Sequence, residues 1–176
     1  MGETIMRGYV QVYTGDGKGK TTAAIGLAVR AVGAGLKAFI GQFVKGMEYS
    51  ELKSLERFSP QIEVKQYGRA KFVHSKPDEE DFAAAREGYE EIKGIIKSGQ
   101  YDLVILDEAN IAVHFKLLSV EDLLALISDK PESVELVFTG RKADPRLVEM
   151  ADLVTEMREV KHYYQKGVLA REGIEK

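Results

Sequence analysis

The chain predicts an α/β protein on a mainly parallel sheet covered on both faces. Two observations carry this reading. Short apolar runs alternate with segments of helical period along the whole sequence, the pattern of strands joined by crossover helices. A glycine-rich loop, Thr14-Gly-Asp-Gly-Lys-Gly-Lys-Thr21, also separates the first apolar run from an alanine-rich helical segment.

Strands are expected near Tyr9–Tyr13, Ala38–Phe43, Ile62–Tyr67, Leu103–Leu106 and Leu136–Thr139, with a weaker one near Leu153–Glu156. The first helix begins at Lys20 or Thr21 and carries Ala23, Ala24, Leu27, Ala28 and Ala31. Gly33-Ala34-Gly35 ends it, because glycine takes the left-handed cap at little cost. A shorter helix fits Glu51–Phe58. In the third, Phe82, Ala85, Tyr89, Ile92 and Ile96 step along one face, with Pro77 at the start and Gly99 at the stop. Ser119-Val-Glu-Asp122 has the form of a capping box opening a fourth helix, and Asp144-Pro145 opens the last. No repeat or linker interrupts the pattern. Residues 1–176 are expected to form a single nucleotide-binding domain with a C-terminal tail at 161–176.

A chain of 176 residues can bury a full core without disulfides or structural metal. It has no cysteine, which excludes thiol catalysis, cysteine-ligated zinc and iron–sulfur clusters and fits a cytoplasmic location. A net charge of −3, with dispersed Lys and Arg, argues against nucleic acid as a partner. No apolar run approaches a membrane span, and Met1–Arg7 lacks the apolar core of a signal peptide, so no membrane association is expected.

Chemistry concentrates at the loop. Gly15, Gly17 and Gly19 let the backbone turn its N–H groups inward, Lys20 brings a mobile, solvent-side positive charge, and Thr21 offers a hydroxyl to Mg²⁺. A nucleoside triphosphate is the expected ligand, held by Gly15, Asp16, Gly17, Lys18, Gly19, Lys20, Thr21 and Thr22. The usual spacing would place glycine where Thr14 stands, so the first glycine arrives one residue late. Downstream, Tyr101-Asp-Leu-Val-Ile-Leu-Asp-Glu108 is a buried-strand run ending in two carboxylates. Ligands of such sheets lie beyond the strands' carboxyl ends, which puts Asp107 and Glu108 beside the loop as candidate metal ligands. Arg141, after the next apolar run, is either a phosphate fork or a surface charge. His74, His114 and His162 lack metal-site spacing and read as loop or surface residues. The residues alone thus define a Mg²⁺-nucleotide domain and leave its acceptor open.

The same loop, followed by Arg30-Ala-Val-Gly33, Gln42-Phe-Val-Lys-Gly46, Leu106-Asp-Glu108, Thr139-Gly-Arg141, Ala151-Asp152, Val160-Lys-His162, Gly167-Val168 and Gly173-Ile-Glu175, resembles the ATP:corrinoid adenosyltransferases of the cobalamin pathway. The late first glycine belongs to that resemblance. It implies a three-layer RecA-like P-loop fold, usually dimeric, that transfers the 5′-deoxyadenosyl group of ATP to Co(I) of cob(I)alamin or a cobyrinic-type corrinoid and releases triphosphate. It further implies an ATP reversed relative to most P-loop enzymes, Mg²⁺ or Mn²⁺, and a reductant protein such as a flavodoxin. By position, Lys20 and the loop amides would hold triphosphate, Thr21 and Glu108 the metal, and Arg30 and Arg141 would lie near the nucleotide. Some members cover the site with a long basic N-terminal extension. Here the first strand begins at Tyr9, so the cover is expected to be shorter, absent or built otherwise. Some also use Phe and Trp to displace the corrinoid's lower ligand. This chain has no Trp, and Phe72 is the candidate, with simple packing as its alternative. The competing readings are a RecA-like ATPase or ATP-sensing module and a small-molecule kinase, both of which would yield ADP rather than triphosphate.

Overall fold

The computed structural model describes residues 7–69 and 77–175. Six strands, β1 (Val10–Thr14), β2 (Ala38–Phe43), β3 (Ile62–Tyr67), β4 (Leu103–Asp107), β5 (Glu135–Thr139) and β6 (Leu153–Glu156), form one sheet in the order β3-β2-β4-β5-β1-β6. Every pairing is parallel. All the strand tips that can carry ligand chemistry therefore lie along one edge.

The sheet is the middle of three layers. Alternation along β4 shows how: Leu103 and Ile105 join one core cluster, Val104 and Leu106 the other. The first cluster is completed by Ala24, Ala28 and Ala31 of α1 (Lys20–Gly33) and by Leu55 of α2 (Ser50–Leu55). The second is completed by α3 (Glu79–Ser98), α4 (Ala109–His114), α5 (Val120–Asp129) and α6 (Pro145–Met150). Alanines at the contact let α1 lie close to the sheet, which keeps its N-terminus at the strand tips.

Register sets the site. Tyr13 of β1 is level with Thr139 of β5, and Gln42 of β2 is level with Asp107 of β4. Because β5 lies between β1 and β4, Thr139 stands between the loop that follows β1 and the acidic end of β4.

Local signals account for most boundaries. Gly99 caps α3 in the left-handed region at φ 63°, and Gly35 turns away from α1 at φ 85°. The capping box at Ser119 and Asp122 and the Asp144 cap before Pro145 are both formed. The expected Glu51–Phe58 helix is α2 followed by a 3₁₀ turn at Glu56–Phe58. Three expectations need correction. Asp78, not Pro77, caps α3, and it forms a capping box with Asp81 that outcompetes a proline start. Phe82 is 44% exposed, because it sits in the first turn of α3 before the buried stripe begins at Ala85. Helix α4, following β4 directly, was not anticipated. Phe72 and His74 lie outside the described residues. Among the described residues no helix is long and apolar enough to cross a membrane.

Candidate active site

The loop after β1 is shaped by contact with the chain that follows β6. Gly17 donates its N–H to the Met157 carbonyl at 2.6 Å, and a Cβ on Gly17 would lie 2.7 Å from that oxygen, so only glycine fits. Gly15 takes φ 93° against the same carbonyl. The loop is thus braced from outside while α1 begins at Lys20.

Lys20 corrects the expectation of a solvent-side charge. It is 7% exposed, and its ammonium folds back to donate to the carbonyls of Gly15 and Gly17, each at 2.7 Å. Burial, followed by the nearby Arg141 guanidinium, pushes its pKa down. A cation held in place by its own loop is prepositioned for an anion that offers better acceptors.

Asp107 is the hub of the site. Its carboxylate, 1% exposed, accepts from the Thr21 hydroxyl at 2.8 Å, the Thr139 hydroxyl at 2.7 Å, the Gln42 amide at 3.2 Å and the Lys45 ammonium at 2.7 Å. One buried carboxylate therefore ties together the tips of β2, β4 and β5 and the first turn of α1. Burial alone would lower the Lys45 pKa, but the Asp107 carboxylate outweighs it and holds the amine above its ordinary value.

Two side chains enter the site from left-handed residues. Val44 and Glu108 both have φ 58°, an uncommon conformation for a non-glycine and more so for a β-branched one. The turn at Val44 delivers Lys45 from the end of β2, and the turn at Glu108 caps α4 and aims its carboxylate into the cavity. Such strain concentrates where surrounding structure over-determines the backbone for function. The Glu108 N–H donates to Thr139 Oγ1 at 3.0 Å. Burial, then the Asp107 charge, raises the Glu108 pKa.

Above these groups opens a cavity of about 720 Å³ lined by the loop, Lys45, Glu108 and Arg141, by Tyr49 of the α2 approach, and by His162, Gly173, Ile174 and Glu175 of the C-terminal segment. Its size suits a nucleotide. Of the residues expected from sequence, Gly17, Lys18, Gly19, Lys20, Thr21, Thr22, Glu108 and Arg141 line it, and Asp107 lies beneath it. Gly15 and Asp16 belong to the loop behind the lining. Arg30 is not brought there by this chain. It is exposed in the last turn of α1, ten residues and about 15 Å along the helix from Lys20. His162, read as an ordinary loop residue, lines the cavity and caps a 3₁₀ turn by accepting from Tyr164 N–H at 3.0 Å. Sequence reasoning gave no role to Lys45, Gln42 or Thr139. The rule that ligands lie beyond strand ends points to all three once the strands are placed.

The donor set is all oxygen: the Thr21 hydroxyl and the Asp107 and Glu108 carboxylates. Hard oxygen donors suit Mg²⁺, and the Lys45 ammonium already seated on Asp107 marks where a cation is favoured. The fold and this site define a P-loop nucleotide-binding protein. Residues 6–175 match the family model described as ATP:corrinoid adenosyltransferase BtuR/CobO/CobP. The chain is 37% identical to the corrinoid adenosyltransferase of Escherichia coli K12 over 170 residues, covering 96% of this chain and 86% of the relative. It is 35% identical to that of Pseudomonas aeruginosa, with 96% and 84% covered, and 34% identical to that of a Sinorhizobium species, with 98% and 82% covered. The chain belongs to the ATP:corrinoid adenosyltransferase family.

Proposed function

We propose that this chain transfers the 5′-deoxyadenosyl group of ATP to Co(I) of a corrinoid through the cavity above the loop, with triphosphate as the leaving group. The carrying observation is the charge arrangement: Lys20, Arg141 and Lys45 line one volume with the loop from Gly17 to Thr22, and the chain has no cysteine for thiol chemistry. Co(I) is itself the nucleophile. Its electron pair forms the Co–C5′ bond, the C5′–O bond breaks, and the leaving electrons depart on triphosphate, taking cobalt formally to Co(III). The protein must align the reactants and neutralise the departing polyanion.

In this reading Lys20 leaves its loop carbonyls for the phosphates, and the N–H groups from Lys18 to Thr22 surround them, while the Gly17 N–H stays on the Met157 carbonyl. Thr21, Glu108 and Asp107 would hold Mg²⁺, which when bound supplies charge neutralisation to the phosphates. Lys45 then balances Asp107 whenever that metal is not bound. Arg141, exposed on the rim, would close over phosphate as a planar fork. The acceptor is cob(I)alamin or a cobyrinic-type corrinoid, reduced beforehand by a one-electron donor of flavodoxin type, in the cytoplasm. A homodimer is consistent with the edge strand β6, whose Leu153 and Val154 are 45% and 40% exposed.

Phosphorus NMR of a reaction with ATP, Mg²⁺ and chemically reduced corrinoid tests the reading. Inorganic triphosphate should appear in step with the cobalt–carbon product. Stoichiometric ADP and phosphate would refute it.

A further inference from the structure

The segment after β6 does more than end the fold. It runs from Met157, whose carbonyl braces Gly17, through a 3₁₀ turn at Tyr163–Lys166, and returns to the loop at Ile174 and Glu175. There Lys18 donates its ammonium to the Ile174 carbonyl at 2.8 Å and to Glu175 Oε1 at 2.8 Å. Resting on the nucleotide reading above, we propose that Glu175 is a positioning residue of the nucleotide site: through Lys18 it fastens the 157–175 segment across the phosphate loop as a clasp that forms the outer wall of the cavity.

The Glu175 carboxylate gathers donors on both of its oxygens. Oε1 accepts from Lys18, from the Tyr163 hydroxyl and from Arg171 Nη2 at 3.1 Å. Oε2 accepts from the Arg171 backbone N–H at 2.8 Å and from Arg171 Nε at 3.2 Å. Arg171 also stacks over the Tyr163 ring, 5.1 Å from its centroid. With these donors gathered on it, the carboxylate has little acceptor capacity left for a ribose hydroxyl or an adenine amine. A bare carboxylate beside triphosphate would repel it; Lys18 and Arg171 remove that penalty. Arg171, then Lys18 and the Tyr163 hydroxyl, hold the Glu175 pKa far below its usual range. The group therefore acts on the nucleotide through the wall it holds. Among the described residues Lys18 joins this cluster to the loop, so the clasp holds in place the loop that would receive the phosphates.

Calorimetric titration with ATP and Mg²⁺ of wild type, Lys18→Met, Glu175→Gln and the double variant tests this, alongside amide hydrogen exchange of residues 160–175. Each single variant should weaken ATP binding about tenfold and the double variant little further, as expected for members of one network. In turnover, KM for ATP should rise more than kcat falls, and Glu175→Asp should recover part of the loss. ATP should slow exchange in the tail of wild type and fail to do so in Glu175→Gln. Equal ATP affinity in wild type and Glu175→Gln, strictly additive single losses, or a tail whose exchange ignores ATP in wild type would each overturn the clasp. Failure of wild type itself to bind ATP would instead overturn the nucleotide reading on which it rests.

Discussion

At the scale of single residues, the site is a set of charges that need one another. Lys20 is buried on its own loop carbonyls, so Lys20→Ala removes both the prospective phosphate contact and two hydrogen bonds inside the loop. We expect activity to fall about 10²–10³-fold, as when one preorganised donor to a developing anion is lost. We also expect a small loss of stability, measurable by urea titration. Glu108→Gln should behave differently. Burial and Asp107 disfavour its charge in the metal-free protein, so the neutral amide should raise the apo melting temperature while Mg²⁺-dependent turnover drops. If the variant lowers both, Glu108 is structural rather than poised for a cation. Lys45→Met leaves the buried Asp107 without its ammonium, a change that costs about 3–5 kcal/mol when a buried pair loses one partner. Added Mg²⁺ should restore part of that loss, which denaturation with and without the metal would read.

At the scale of elements, α3 and its strand show how packing decides the sign of one substitution. Gly88 and Gly94 lie on the same helix, and alanine is intrinsically favoured over glycine there by about 0.8–1 kcal/mol. A Cβ at Gly94 meets nothing within 4 Å, so Gly94→Ala should stabilise the protein by roughly that amount. At Gly88 the same atom would lie 2.4 Å from the Tyr67 ring, and that ring is itself packed 5.7 Å from Phe43. Gly88→Ala should therefore destabilise by about 1–3 kcal/mol through overpacking. Chemical denaturation of the two variants side by side checks the opposition. Close approach of α3 matters to the site, because Tyr67 and Phe43 end the strands beside the turn that carries Lys45.

For the whole molecule, loop, strand tips and returning segment meet only when the sheet is assembled, so nucleotide should bind the folded state alone. ATP and Mg²⁺ at 100 times Kd would then add about 2.7 kcal/mol to stability. For a chain of this size that is a rise of about 5–10 °C in melting temperature. Differential scanning fluorimetry should show the rise in wild type and a much smaller one in Lys20→Ala. An equal rise in both would place ATP elsewhere.

What the sequence by itself determined is whatever depends on neighbours along the chain. Apolar runs placed all six strands, glycines stopped α1 and α3, Ser119-Val-Glu-Asp122 opened α5, and Gly15 to Thr21 announced a phosphate loop, because these are local conformational preferences. Asp107 and Glu108 were legible as a pair since a strand's carboxyl end points to the ligand side. Tertiary structure alone decided which side chains share the site. The strand order brought Thr139 between β1 and β4 and set Lys45 on Asp107, 62 residues away in sequence. Tertiary packing also carried Glu175 back to Lys18 across 157 residues. Such meetings are set by sheet order and burial, which no local pattern encodes, and only burial made Lys20 a held cation instead of a free one.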